Sequence, residues 1–132
     1  MRFTQDSSAG INLIRAYGNG ELRVNENVYR GAVILSASTL IAEANIHNLD
    51  ALVALDVSRT LALEPEMVLL GTGERQVFPA SAFGAQFLRA GIGFEVMDTS
   101  AACRTYNVLA GEQRRVVAML LLEETLEKIA GR

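Results

Sequence analysis

The feature that most constrains this chain is a regular alternation of strand-like and helix-like segments over residues 66–122. In chain order these segments are an apolar run at 67–70, a helical pattern at 81–90, a strand pattern at 92–97, a helical pattern at 99–111 and a strand pattern at 115–122. Alternation with short loops predicts a parallel sheet with right-handed crossovers, covered by helices. The expected fold class is therefore α/β, with a mostly parallel central sheet.

The first third of the chain has the pattern of antiparallel β structure. The segment 11–17 alternates and is rich in branched and aromatic residues, and Gly18-Asn19-Gly20 after it is a strong turn signal. A second turn is indicated at 25–27. The strands expected here are 11–17, 21–25, 28–35 and 40–44. We expect the hairpins to pack as an added layer on the α/β core.

Two further helices are expected outside the alternating segments. Asn48 offers a side-chain oxygen as an N-cap, which predicts a helix over 49–60. A short helix is also expected over 123–130, with an apolar stripe that packs on the protein's own sheet or contacts a second copy of the chain. The residues of this stripe are Leu122, Leu126 and Ile129.

Composition excludes several classes of function. The chain has 132 residues, which suits one domain, expected over 1–132. Its formal charge of −3 lacks the basic excess that binding to nucleic acid needs. One cysteine and one histidine cannot form an internal disulfide or a Cys/His zinc cage. We therefore expect no metal and no cofactor.

The sequence also favours a cytoplasmic protein. Its polar first ten residues lack the apolar core of a signal peptide. The longest apolar run, at 116–122, is far shorter than the ~20 residues that span a bilayer as a helix. No membrane span is expected.

Glycine and polar residues follow two of the predicted strands, where parallel sheets place their ligand sites. Segment 71–76 combines two glycines, which permit close backbone approach, with an arginine suited to anions. Segment 98–107 begins at a helix N-terminus, whose N–H groups favour an anion. Together they predict an anion-binding crevice, with Arg75 and the backbone of 99–102 as donors. The residues expected in this crevice are Gly71, Thr72, Gly73, Arg75, Asp98, Thr99, Cys103, Arg104, Tyr106 and Asn107.

Each of these features also has a purely structural interpretation. The glycines can simply shape a turn, because no dinucleotide or Walker pattern follows them. Asp98 is an ordinary helix cap, and Cys103 suits a small buried position. Arg75 and Arg104 could form surface ion pairs. No catalytic residue is assigned, because His47 is remote in sequence from the other candidate groups.

Three blocks of the sequence, 66–79, 91–99 and 101–109, resemble a known family. They contain Gly71-Thr72-Gly73, Asp98-Thr99 and the run from Cys103 to Asn107. These blocks are similar to the small family of domains of unknown function that includes the mitochondrial NADH dehydrogenase (complex I) assembly factor 3. The similarity extends over about 11–122.

The resemblance implies a single three-layer α/β domain with an added β-hairpin layer. It also implies a non-enzymatic binding or assembly module, which acts through a protein partner or through self-association. Since the chain begins without an organellar targeting segment, a prokaryotic member is expected. The alternative function is a small enzyme or sensor that binds an anionic metabolite in the crevice.

Overall fold

The computed structural model describes residues 10–122 and arranges their strands in two sheets. The strands are β1 (Ile14–Gly18), β2 (Glu21–Val24), β3 (Asn27–Arg30), β4 (Ala32–Leu35), β5 (Leu40–Glu43), β6 (Met67–Gly71), β7 (Gly93–Met97) and β8 (Val116–Leu121). The helices are α1 (Leu49–Val53), α2 (Ser58–Ala62), α3 (Ser81–Arg89) and α4 (Thr99–Gly111). The expected helix over 123–130 and its apolar stripe beyond Leu122 lie outside the described residues.

The smaller sheet has the order β1-β2-β3 and is antiparallel throughout. Its first turn places Asn19 and Gly20 at φ values of 55° and 75°, and its second places Asn25 at 52°. Left-handed residues of this kind match the twist of a tight hairpin, and Asn and Gly adopt them most readily. The two hairpins predicted from the sequence are confirmed.

The larger sheet has the order β5-β4-β8-β6-β7 and is mixed. Strand β6 pairs in parallel with β7 and β8, whereas β4 is antiparallel to both β8 and β5. The prediction of a mostly parallel sheet is therefore wrong. The loop 36–39 is too short for a crossover, so β4 and β5 form a hairpin, and this hairpin extends the sheet beside β8.

The predicted strand at 28–35 is divided at Gly31, because β3 and β4 belong to different sheets. Gly31 has a φ of 85°, and a Cβ added there would lie 2.5 Å from the carbonyl oxygen of Glu43. Only glycine allows this close approach where the chain leaves one sheet for the other.

The predicted helix at 49–60 is likewise two short helices, α1 and α2. Asn48 caps the first as expected, since its Oδ1 accepts from the N–H of Ala51 at 2.8 Å. The chain bends at Asp56, whose carboxylate accepts from both the N–H and the hydroxyl of Ser58 at 2.9 Å. This local bonding competes with a continuous helix.

The larger sheet separates two groups of buried side chains. On one face Ala118 and Leu120 of β8 pack with α4 and the smaller sheet. On the other face Val117 and Met119 of the same strand pack with α1 and α3. All six residues of β8 are buried, because the strand is central and covered on both sides.

Candidate functional site

The loop after β6 and the start of α4 lie together at the carboxyl ends of the parallel strands. Thr99 Oγ1 accepts from the N–H of Gly73 at 2.8 Å and donates to the carbonyl of Leu121 at 2.7 Å. The N–H of Thr99 donates to the Gly73 carbonyl at 2.8 Å. A Cβ at Gly71 would lie 3.0 Å from Thr99 Oγ1, so glycine permits this approach. We call this junction the strand-end site.

Asp98 occupies the anion position at the N-terminus of α4. Its Oδ1 accepts from the N–H of Ala101 at 2.8 Å, and its carbonyl accepts from the N–H of Ala102 at 3.0 Å. The N–H groups of Thr99, Ala101 and Ala102, which the sequence predicts as donors to an anion, therefore all donate to acceptors within the protein. Anion binding at this point stays a prediction.

Thr72 fixes the conformation of the loop that follows β6. The residue is 5% exposed, and its hydroxyl donates to the carbonyl oxygen of Arg75 at 2.6 Å and accepts from the N–H of Val77 at 3.0 Å. The Gln76 side chain donates to the carbonyl of Val96 in β7 at 2.9 Å. The loop is thus fixed at Thr72, which follows β6, and at Gln76, which contacts β7. Arg75 lies on the exposed surface of the loop.

The later predicted residues on α4 face the smaller sheet instead. The Tyr106 hydroxyl donates to the carbonyl of Asn12 at 2.8 Å, and burial raises the pKa of Tyr106 above its ordinary value. Asn107 accepts from the N–H of Ile14 at 2.9 Å and donates to its carbonyl at 2.8 Å. Tyr106 therefore attaches the segment before β1 to the helix, and Asn107 attaches the first residue of β1.

A groove of about 250 Å³ lies between β1 and α4. Arg15, Ser100, Cys103 and Arg104 contribute to its lining, and Arg104 donates to the hydroxyl of Ser100 at 2.9 Å. Cys103 is 6% exposed, and burial raises its pKa to about 12 although Arg104 acts in the opposite direction. The thiol is therefore protonated at neutral pH.

Tyr17 belongs to this region but was not among the site residues predicted from the sequence. Its pKa is raised to about 12, first by burial and then by Cys103 and Glu74, while a hydrogen bond with Thr99 acts in the opposite direction. Tyr17 and Thr99 are far apart in the chain, and only the packing of β1 on α4 brings them together. The only sequence signal was an aromatic residue directly before a glycine turn.

Sequence reasoning also missed an apolar pair in the loop after β6. Val77 is 49% exposed and Phe78 is 71% exposed. Single exposed apolar side chains are common on protein surfaces. These two are adjacent and lie on a loop that is held by hydrogen bonds. The signal was present as Val-Phe-Pro after the polar loop residues.

A second cavity, of about 470 Å³, opens at the amino ends of β6 and β8. We call it the amino-end cavity. Its lining comes from the segment before β1, the loop after β4, the segment before β6, and the stretch from the end of α4 into β8. The lining residues are Ile11, Ser36, Ala37, Ser38, Leu63, Pro65, Ala110, Gly111, Gln113, Arg114, Arg115, Val116 and Val117. None of the residues predicted for the crevice is among them.

Residues 14–121 match the family described as Protein of unknown function (DUF498/DUF598). The chain belongs to this family. The match includes the three blocks on which the resemblance was based, so that expectation is confirmed.

Two curated relatives are similar over most of the chain. The 13 kDa major membrane protein of Francisella tularensis subsp. holarctica is 31% identical over 108 residues, which are 81% of this chain and 88% of the relative. The NADH dehydrogenase [ubiquinone] 1 alpha subcomplex assembly factor 3 of Danio rerio is 29% identical over 118 residues, which are 89% of this chain and 67% of the relative.

A solved structure supports the fold. The solution structure of a Bordetella pertussis protein, described as an Mth938-like domain, matches with a TM-score of 0.73 and 27% identity over 98% of both chains. The chain is thus a mixed α/β domain of the DUF498/DUF598 family. Among residues 10–122, none of the helices has the length and apolar character needed to cross a membrane.

Proposed function

We propose that this DUF498/DUF598 domain is a non-enzymatic protein-binding module that contributes to the assembly of a larger complex. The observation that carries the proposal is the pair Val77 and Phe78, exposed on a loop that Thr72 holds in one conformation. Such a pair offers apolar contact area with little conformational entropy left to lose on binding.

The neighbouring sheet edge supports the same proposal. In β7 the N–H of Gly93 and the carbonyl of Met97 bond toward β6, so the backbone groups of Phe94 and Val96 point outward. Gln76 donates to the Val96 carbonyl and covers part of this edge. An outward row of backbone donors and acceptors pairs with an extended segment of a partner protein. Phe78 would then take an apolar side chain of that partner.

The environments of the potentially reactive side chains also favour protein binding over catalysis. Three of these side chains form hydrogen bonds to the backbone that stabilise the fold, namely those of Thr99, Tyr106 and Asn107. Burial keeps the Cys103 thiol protonated, which disfavours it as a nucleophile. The Danio rerio relative is named as an assembly factor, and a role through protein partners is consistent with that relationship.

A photoreactive amino acid placed at position 78 in the native cell tests the proposal. We expect a discrete crosslinked protein at this position. Val108 on α4 is 57% exposed and apolar, so the same probe at 108 is the matched control. Absence of any adduct at 78, or the same adducts at both positions, would count against the proposal. An adduct of two copies of the 14.3 kDa chain would identify the partner as the protein itself.

The groove between β1 and α4 favours a second candidate function, a binding site for an anionic metabolite. Arg15 and Arg104 both line it, and guanidinium groups suit phosphate and carboxylate. We expect phosphate to raise the melting temperature of the wild type but not of Arg104→Gln, because ligands stabilise the state they bind. Arg89→Gln, on the exposed surface of α3, is the control. Equal responses of both variants would exclude this site.

A further inference from the structure

We propose that the amino-end cavity binds an amphiphilic carboxylate of the fatty-acid class. The aliphatic chain would lie in the cavity, and the carboxylate would lie at its rim beside Arg115. This inference does not rest on the proposed protein binding, which uses the opposite end of the sheet.

The cavity floor is suited to an aliphatic chain. Ala110, Val116 and Val117 are exposed by only 3%, 2% and 1%, so they form a closed apolar base. The apolar surface offered to a ligand comes from three half-buried residues, Ile11, Ala37 and Leu63. Among the lining residues in the described part of the chain, every apolar side chain is aliphatic. The volume of about 470 Å³ falls within the roughly 300–1,000 Å³ of small-molecule sites.

The rim is suited to an anionic head group. Arg114 forms an ion pair with Glu66, with Nε 3.1 Å from Oε2. The backbone N–H of Arg115 donates to Oε1 of Glu66 at 3.0 Å, whereas its side chain donates through Nε to the uncharged carbonyl of Glu64 at 2.9 Å. The remaining guanidinium nitrogens of Arg115 can donate two parallel hydrogen bonds to a carboxylate.

Ser36 adds a donor at the same rim. It is 8% exposed, and its Oγ accepts from the N–H groups of Thr39 at 3.1 Å and Ser38 at 3.4 Å. The acceptor capacity of the hydroxyl is therefore used, and its hydrogen is available for an acceptor in the cavity. A carboxylate supplies such an acceptor.

Gln113 lines the cavity at a position where many helices have glycine. Its φ is 65°, directly after the C-cap of α4, and its N–H donates to the carbonyl of Ala110 at 3.0 Å. A left-handed residue after a helix is usually glycine because a side chain is strained there. The amide side chain of Gln113 gives the rim a further polar group able to contact a head group.

A series of carboxylates tests the apolar part of the proposal. Hexanoate, octanoate and decanoate are titrated below their micelle concentrations and followed by amide NMR shifts. Each added methylene should raise the affinity roughly three- to fourfold if it is buried, with the shifts centred on Ala110 and Val117. Affinities that do not change with chain length, or shifts centred elsewhere, would overturn it.

Two glycine substitutions test the location. A Cβ added at Gly111, which lines the cavity, or at Gly18, which does not, meets no atom within 4 Å. A side chain can therefore start from either position without a clash at its Cβ. We expect Gly111→Leu to weaken decanoate binding about tenfold or more and Gly18→Leu to leave it within twofold. Equal effects of the two substitutions would place the ligand elsewhere.

Arg115 variants test the head group against the neutral analogue decanol. Arg115→Met should weaken decanoate binding about tenfold while changing decanol binding less than threefold, since only decanoate has a charge to lose. Arg115→Lys should retain most of the decanoate affinity. If Arg115→Met weakens both ligands equally, or neither of them, the assignment of the carboxylate to Arg115 is wrong.

Discussion

The two ends of the central sheet are built in different ways. At the strand-end site, Thr99 bonds to the β6 loop and to the end of β8, and Asp98 caps α4 internally. The amino-end cavity instead leaves about 470 Å³ between its elements. Positive φ angles show the same difference, because Gly73 occupies one at the first end, whereas Glu64 and Gln113 occupy them at the second. The strand-end site is closed by hydrogen bonds between its own residues. The amino end contains an open cavity and two non-glycine residues in a strained, left-handed backbone conformation.

The comparison predicts that the largest loss of stability follows Thr99→Val. Valine keeps the shape but leaves the Gly73 N–H and the Leu121 carbonyl without their buried partner, which should cost about 2–4 kcal/mol. Urea unfolding measures this. Thr105→Val, at a half-buried position on the same helix, is the control and should cost less than about 1 kcal/mol. Similar costs for both would contradict a special role for Thr99.

A smaller loss is expected for Asn107→Ala. This change removes two hydrogen bonds to Ile14 and leaves backbone groups of β1 without partners, at a cost of about 1–3 kcal/mol. Hydrogen exchange should accelerate in β1 and β2 before it accelerates in β6. Uniform acceleration across both sheets would show that the smaller sheet does not depend on this attachment.

Alkaline pH should lower the stability of the folded protein through the thiol of Cys103. The pKa of this thiol is 9.0 in the reference state and about 12 in the folded protein, so the unfolded chain loses its proton first. Stability present below pH 9 is therefore lost as the pH rises toward 12, by at most about 1.4 kcal/mol per pH unit. Unfolding measured at pH 9 and pH 10 should show a shallower loss for Cys103→Ala. An unchanged slope would contradict the prediction.

The smallest expected effect has the opposite sign and lies at the open end. Gln113→Gly removes the backbone strain of a glutamine in the left-handed conformation. After the extra entropy of glycine in the unfolded chain is subtracted, the change should stabilise the fold by about 0.5–1 kcal/mol. Glu64→Gly should do the same from a φ of 52°. Because only Gln113 lines the cavity, only its replacement should also weaken decanoate binding. A loss of stability in both variants would mean that neither residue is strained.

Part of the candidate site could be predicted from the sequence. The approach of segment 71–76 to the start of α4 follows from the alternation of strands and helices, and the cap at Asp98 follows from its position. The later residues of segment 98–107 were placed in the same crevice because they share a helix. In the structure Tyr106 bonds to the segment before β1, and Asn107 bonds to the first residue of β1. Helical spacing identifies a shared face but not the element that covers it.

The sequence by itself determined the features that act within a few residues. The two hairpin turns and the Asn48 and Asp98 caps depend on neighbouring side chains and backbone. Tertiary structure alone decided that β4 pairs with β8, that Gly31 separates two sheets, and that Tyr17 reaches Thr99. It also formed the amino-end cavity from four separate segments. These outcomes depend on which apolar faces bury one another, and that choice is made between segments distant in the chain.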